Sequence, residues 1–546
     1  MRWTTPCRAL ALSFLALCFP GANSQTSTTD QPQDVMHSDQ TLRTNTRLVV
    51  VDVVVTDNKG QPVPELKAAD FTLLEDGKPQ KISGFNFERS DASSARVAQI
   101  QLPPSVVTNA PKFQSNSLNV ILFDAANGDF TEHAYARDQL LKFLNGAALD
   151  RPVAIFSLEA QLKLLHDFST DNKSLSAAVA KYRPPAKLNN SESLESRASA
   201  FSTRGDYHTS ERDIENTLNQ LNALAKVLAG YPGRKNLIWL SESFPLVLFP
   251  ETDNQLHMDG QSLRSAVRGA ANPPSTQQNL QSSPTFKSYA ALIKKVSDSL
   301  MAAQVAVYPV DAGALGKDDH LASQHTMDNM AESTGGKSFK NSNDLVLGLR
   351  TGIEDGSTYY TLTYYPENKN WDGQFRRIQV KSDRSNMSLR YREGYYAVDP
   401  EKINKEDSDA VAENFSRALQ LDAPSATQIV FQAQVQPPAG KNNKVVVTFH
   451  IDPRTLAFEK KDGGVEFAKL SCTVWAYGKD KDKPTMSSGT TTANLSATEY
   501  QQMVQQRFLP CERQFELKPG TYALRMGVLD RATNKIGTAS AQVVVP

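Results

Sequence analysis

The stretch Ser117-Leu118-Asn119-Val120-Ile121-Leu122-Phe123-Asp124, continued by Ala125-Ala126-Asn127-Gly128-Asp129, decides the fold. Leu118 and Val120 to Phe123 form a short apolar run that stops at an acid. The residues that follow are small and polar, and a helical pattern begins near Ala134. A buried strand ending in a carboxylate, then a loop, then a helix is how an open α/β sheet presents ligand groups at its carboxyl edge.

The pattern repeats outward from this stretch. Strand-like runs lie at 118–123, Val153–Leu158, 162–168, 237–240 and 305–310, with helical patterns between them. The clearest helix carries Ile214, Leu218, Leu221, Ala225 and Leu228 on one face, with Ser210 at its start and Gly230 and Pro232 at its end. Alternating strands and helices imply a mainly parallel sheet covered on both faces. Residues 153–168 read instead as a hairpin around Glu159-Ala160, adding one antiparallel strand. Two polar stretches, 184–208 and 250–283, read as surface insertions.

At 546 residues the chain exceeds one core, and about two to four domains are expected. Lys+Arg and Asp+Glu both number 59, which argues against nucleic acid or an anionic membrane surface as the main partner. Residues 1–24 read as a signal peptide. Arg2 and Arg8 lead an apolar segment at 9–19, Pro20-Gly21 breaks it, and Ala22-Asn23-Ser24 suits cleavage before Gln25. Cys18 invites a lipoprotein reading, but Leu17 before it fits that cleavage poorly. The mature chain is expected to carry no transmembrane segment and to be secreted, or to reside in the periplasm or cell envelope. Cys7 and Cys18 leave with the signal. Cys472 and Cys511 remain in one domain and are expected to pair in an oxidising compartment, the alternative being two buried thiols.

Residues 25–44 read as a disordered lead. Residues 45–88 form a small β module, with a β-branched strand at 48–55, a second strand at Phe71–Glu75 and a tight turn at Asp76-Gly77. A polar, proline-containing linker covers 89–115. The α/β domain, extended by strands near 359–365, 375–381 and 389–391, spans 116–397. A charged linker with a short helix occupies 398–426, and 427–546 reads as a β-sandwich-like domain.

Several pieces resemble the acidobacterial von Willebrand factor type A-related proteins. They are Val53-Val54-Val55-Thr56-Asp57, Asp70-Phe71-Thr72-Leu73-Leu74-Glu75-Asp76-Gly77, the run Pro232-Gly233-Arg234-Lys235-Asn236-Leu237-Ile238-Trp239-Leu240-Ser241, and Val307-Tyr308-Pro309-Val310-Asp311. Thr334-Gly335-Gly336 and Arg392-Glu393-Gly394-Tyr395-Tyr396 follow. The resemblance covers roughly residues 45–397. It implies a Rossmann-like type A core, secretion and a binding or scaffolding role.

That resemblance also implies a metal-ion-dependent adhesion site. Such a site uses Asp-x-Ser-x-Ser after the first strand, a Thr from a later loop and an Asp after the fourth strand. Here Asp124 matches the first acid, but Ala126 and Gly128 stand at the serine positions. Ser241-Glu242 stand where the Asp would be, and the Thr has no evident counterpart. The expectation is a degenerate site, either metal-free or holding a divalent cation (Ca²⁺ or Mg²⁺) weakly. The candidate ligands are Asp124, Asn127, Asp129 and Glu242, with Glu132 nearby. An Asx-rich turn that caps the helix at Ala134 is the alternative for the same residues.

Arg204-Gly205-Asp206 resembles an integrin-binding tripeptide but reads as a solvated insertion loop. His320 and His325 are five apart and do not share a helical face. Asp167 and Asp311 read as turn or cap residues. No glycine-rich phosphate loop, HExxH or GxSxG is present. The reading is a secreted, multidomain binding protein, not an enzyme, that recognises a protein or surface glycan through the sheet's carboxyl edge. A hydrolase with its site in the insertions, and a structural envelope component, are the alternatives.

Overall fold

The computed structural model describes residues 48–89, 102–103, 105–111, 113, 117–127, 130–146, 149, 151–184, 211–241, 284–312, 320–340, 345–399, 408–438, 443–480 and 483–546. They belong to one compact unit, Arg47–Pro546. The first strands are β1 (Val49–Asp57), β2 (Phe71–Glu75), β3 (Lys78–Pro79), β4 (Ile82–Arg89), β5 (Val106–Thr108), β6 (Ser117–Asp124), β7 (Val153–Leu158), β8 (Leu162–Ser169), β9 (Arg234–Ser241) and β10 (Val305–Asp311). Next come β11 (Thr358–Tyr364), β12 (Phe375–Ser382), β13 (Met387–Arg390), β14 (Gly394–Tyr396), β15 (Phe431–Gln436) and β16 (Lys444–Ile451). The last are β17 (Glu459–Lys461), β18 (Val465–Tyr477), β19 (Thr485–Leu495), β20 (Leu509–Glu516), β21 (Gly520–Asp530) and β22 (Ile536–Val545). The helices are α1 (Phe130–Gly146), α2 (Asn172–Lys181), α3 (Glu211–Leu228), α4 (Pro284–Ala302), α5 (His320–Thr334), α6 (Leu345–Asp355), α7 (Ser408–Ala418) and α8 (Ala497–Gln506).

The central sheet runs β10-β9-β6-β7-β8, and only β8 is antiparallel to its neighbour. Every residue of β6, β7 and β9 is buried, as two-sided cover requires. Leu118, Val120, Leu122, Leu237 and Trp239 pack towards Leu218, Leu221 and Leu228 of α3 and Val296 of α4. Ile121, Phe123, Ile238 and Leu240 pack towards Leu140 and Phe143 of α1, Leu175 of α2 and Leu349 of α6. β9 starts three residues earlier than its apolar run, because Arg234, Lys235 and Asn236 are buried with their polar atoms bonded. Arg234 donates to the Gly335 carbonyl at 2.6 Å, Lys235 to the Tyr231 carbonyl at 2.5 Å, and Asn236 to Asn119 Oδ1 at 2.9 Å. Consecutive cations in a sequence read as surface, and here they are not.

The 45–88 module and the β extension of the α/β domain are not separate bodies. They interleave as two four-stranded sheets, β13-β1-β11-β4 and β14-β12-β2-β3. Few strands cannot bury a face alone, so the early strands borrow late partners. Val51 and Val53 of β1 share a core with Leu73, Leu362, Ile378 and Tyr395. Asp76 and Gly77 both take positive φ, 48° and 76°, which closes the β2–β3 hairpin with Glu75 opposite Lys78. Thr358 of β11 lies opposite Arg89 of β4, so the chain leaves this sandwich and returns at one spot. The buried Glu75 carboxylate accepts from Tyr364 at 2.6 Å and Tyr395 at 2.9 Å, and Arg376 Nη1 stands 3.4 Å from it.

The linker at 89–115 also contributes structure. Its three-residue β5 pairs with β15, in a sheet ordered β20-β16-β15-β5. Asn109 locks this strand in place: its amide nitrogen donates to the Ala426 and Ile429 carbonyls, and its side-chain oxygen accepts from Phe431 N. The facing sheet runs β17-β18-β21-β22, with β19 also beside β18. The Cys472–Cys511 disulfide ties β18 to β20 within this core. This second sandwich sits on the end of α3. Thr427 Oγ1 donates to the Val227 carbonyl at 2.6 Å, and a Cβ on Gly230 would lie 2.0 Å from the Thr427 carbonyl. Only glycine permits that approach.

Candidate functional site

The chain leaves β6 towards β7 on one side of the central sheet and reaches β9 on the other. The carboxyl end of β6 is therefore the topological switch point, where connections diverge and leave a crevice. Asp124 ends β6 there and is 2% exposed.

Five donor groups converge on its carboxylate. Oδ1 accepts from Ala126 N at 3.1 Å and Asn127 N at 2.9 Å. The Asn127 side-chain nitrogen reaches both oxygens, at 3.2 and 3.0 Å. Oδ2 accepts from Trp239 Nε1 at 3.2 Å and Ser241 Oγ at 2.7 Å. Burial pushes the Asp124 carboxyl above its ordinary value, while the donors from Asn127, Ser241 and Trp239 pull it back. A second ring of contacts holds the donors. Asn127 Nδ2 lies 3.3 Å from Thr217 Oγ1 on α3, and His133 Nε2 on α1 lies 3.1 Å from the Asn127 carbonyl. A carbonyl only accepts, so this contact assigns the proton to Nε2.

The same edge continues to the end of β7. Tyr182 OH donates to Glu159 Oε1 at 2.7 Å, and Ser157 Oγ bonds the same oxygen at 3.1 Å. Burial pushes the Tyr182 hydroxyl up. Asn216 of α3 donates to the Glu159 carbonyl at 2.8 Å. Ser157 Oγ and Tyr182 OH also lie 2.6 Å from each other, so the hydroxyls here, Ser157, Tyr182, Thr217 and Ser241, face carboxylates, an amide or another hydroxyl, and the edge histidine faces a carbonyl. Among the described residues of this edge, no hydroxyl is bonded to an imidazole, the pairing that activates a nucleophile.

Of the candidate metal ligands, Asp124 and Asn127 come together, but as acceptor and donor. Asp129 and Glu242 lie outside the described residues, as do Gly128, Ser210 and the side chain of Glu132. Ala126 packs its methyl against the core on the α3 side. Among the described residues no group of three or more His, Cys, Asp or Glu side chains has metal-holding geometry. A hard divalent cation needs an inner sphere of oxygens. Here the carboxylate lone pairs already point at N–H and O–H groups, so the described donor set does not fit such an ion. Ser241 and Asp311 lie opposite one another in the β9–β10 register. Asp167 lies within β8 and not in a turn or cap, and it accepts from Phe168 N at 2.9 Å inside that strand. Arg204-Gly205-Asp206 and the side chains of His320 and His325 lie outside the described residues.

Sequence reasoning missed Trp239 and Thr217. An indole inside Leu237-Ile238-Trp239-Leu240 reads as core, and a threonine amid a helix reads as neutral. The available signal was spacing. Trp239 and Ser241 are two apart on a strand, so they share a face, and Leu122 in register with Trp239 puts that face beside Asp124.

No protein-family description matches the chain, and neither does any curated protein sequence. Solved structures do align with it. The vWF domain of the type V pili tip protein Mfa5 from Porphyromonas gingivalis is 12% identical, covering 44% of this chain and 93% of that one, with a TM-score of 0.25. An aerotolerance-related membrane protein from Bacteroides fragilis is 9% identical over 44% of this chain and 98% of its own, with a TM-score of 0.23. Proximal thread matrix protein 1 from the mussel byssus is 11% identical, over 44% and 48%, with a TM-score of 0.24. This chain thus spans about half of the byssus protein's length. Overlaps this loose carry no argument about function, and the architecture rests on the strand order and register above. Among the described residues, no helix is long and apolar enough to cross a membrane.

Proposed function

We propose that the chain is an exported, multi-module binding protein with a von Willebrand factor type A-like core. It recognises a protein or a surface glycan through the carboxyl edge of its central sheet, without a bound metal. The observation that carries this reading is Asp124. An acid at the switch point of an open α/β sheet sits where ligands bind, yet its charge is met by five protein donors in place of a cation. The Cys472–Cys511 disulfide supports an oxidising address. Recognition then depends on the polar groups and loops that rim the crevice, Glu159 and Asn216 among them, and the donor cage holds that rim rigid.

Thermal melts and calorimetry of the full chain with Mg²⁺ and Ca²⁺ test the metal-free part. Neither ion should give saturable heat or raise the melting temperature. Micromolar binding of either ion, lost in Asp124→Ala, overturns it. Arrays of envelope proteins and glycans, probed in the presence of a chelator, test recognition. Binding that survives chelation and falls in Glu159→Ala supports the reading, and binding that requires the metal overturns it.

A further inference from the structure

A second cleft, of about 460 Å³, opens where the end of α5 meets the first sandwich. Its volume is that of a small-ligand site, and it lies at a seam between structural layers, where such sites concentrate. Glu332 and Lys337 line it from the α5 side, with Arg377 of β12 and Glu393 of the segment between β13 and β14 opposite. Among the described residues none of these four side chains closes a hydrogen bond or ion pair with a protein group. Lys337 rests over the Phe339 ring at 5.6 Å. Arg390, which also lines the cleft, is by contrast committed to Asp355. Burial pushes the Glu393 carboxyl up, the nearby Glu332 charge pushes it further, and Arg377 partly offsets both. A second carboxylate beside a half-buried one is unfavourable until a cation comes between them. A lone cation would meet Arg377 and Lys337, and a lone anion would meet the two glutamates. Charges of both signs that face one cavity without closing on each other suit a ligand that carries both.

We propose that this cleft binds a small zwitterion, an amino acid or short peptide with free termini. Its ammonium group lies between Glu332 and Glu393, and its carboxylate is held by Arg377 and Lys337. Arg377 offers the two-pronged donor that carboxylates prefer.

Calorimetry on the full chain with diglycine as probe, and with acetate and methylamine as singly charged controls, tests this. Diglycine should bind saturably, and each control at least about tenfold more weakly. Glu393→Gln and Arg377→Gln should each weaken diglycine by about tenfold or more without altering the circular dichroism melt. Should either variant fail to fold, Glu332→Gln and Lys337→Ala, both at exposed positions, carry the same comparison. No saturable heat up to about 10 mM diglycine, equal binding of the controls, or unchanged binding in folded variants overturns the proposal.

Discussion

Glu75 on β2 and Arg376 on β12 stand 301 positions apart in sequence and 3.4 Å apart in space, both almost fully buried. The pair lies inside a sheet built from the two ends of the first 400 residues. Its electrostatics are completed by the Tyr364 and Tyr395 hydroxyls, both pushed up by burial. Removing one partner leaves the other charged and desolvated. Arg376→Met should lower stability by about 3–5 kcal/mol. The double variant Glu75→Gln/Arg376→Met should lose less than the two single losses combined. Denaturant unfolding of the four proteins checks this, and additive losses would show that the two side chains do not interact.

Lys235 provides a pH-dependent test. Burial pushes its ammonium down to about 7, against the opposing charge of Asp52. In the unfolded chain it titrates near its ordinary value of 10.5. Between about 7 and 10 the unfolded chain therefore holds more protons, and stability rises with pH by up to about 1.4 kcal/mol per unit. Lys235→Met should raise stability at pH 7 and flatten the slope. Urea midpoints at pH 7, 8.5 and 9.5 measure both effects.

At the sheet edge, Asn127→Asp converts a donor into a second carboxylate against Asp124. The lost hydrogen bonds and the like charge should destabilise the protein by about 2–4 kcal/mol. Ca²⁺ should then restore part of that loss, because two carboxylates in a loop accept a hard ion. Melting temperatures with and without about 5 mM Ca²⁺ check this, with the unaltered protein shifting by less than about 1 °C.

The disulfide closes a segment with a sequence separation of 39. In the chain-entropy account it contributes about 4 kcal/mol. The double variant Cys472→Ala/Cys511→Ala should lose about that much in urea. Reductant should shift the intact protein's midpoint and leave the variant's unchanged.

The parallel core was legible because its strands are buried on both faces and carry short, mainly apolar runs. Leu118 to Phe123 and the Ile214–Leu228 helix face follow from period alone. The interleaving of β1 with β11 was not, since alternation tells which face of a strand is buried and nothing about its partner. β5 escaped notice because three residues in a polar, proline-containing segment carry too little pattern. Asn109, whose three bonds hold that strand, looks like any loop asparagine. Asp124 announced itself by ending an apolar run. Its donor Trp239 did not, nor did Thr217, whose hydroxyl accepts from Asn127, because both act through a fold that brings β9 and α3 to the same edge.

The pairing of Asp52 with Thr361, 309 residues further along, bears on how the chain is made. A polypeptide synthesised from its N-terminus presents Val49-Val50-Val51-Asp52-Val53-Val54-Val55 long before Thr358–Tyr364 exists to cover it. For that interval a β-branched, nearly uncharged ribbon stands with both edges bare, the kind of segment that recruits copies of itself. The nascent chain is therefore expected to need protection until β11 and β13, the strands that pair with β1, arrive. Truncations ending before residue 358 should accumulate as aggregates, and those reaching 399 should leave β1 its native neighbours.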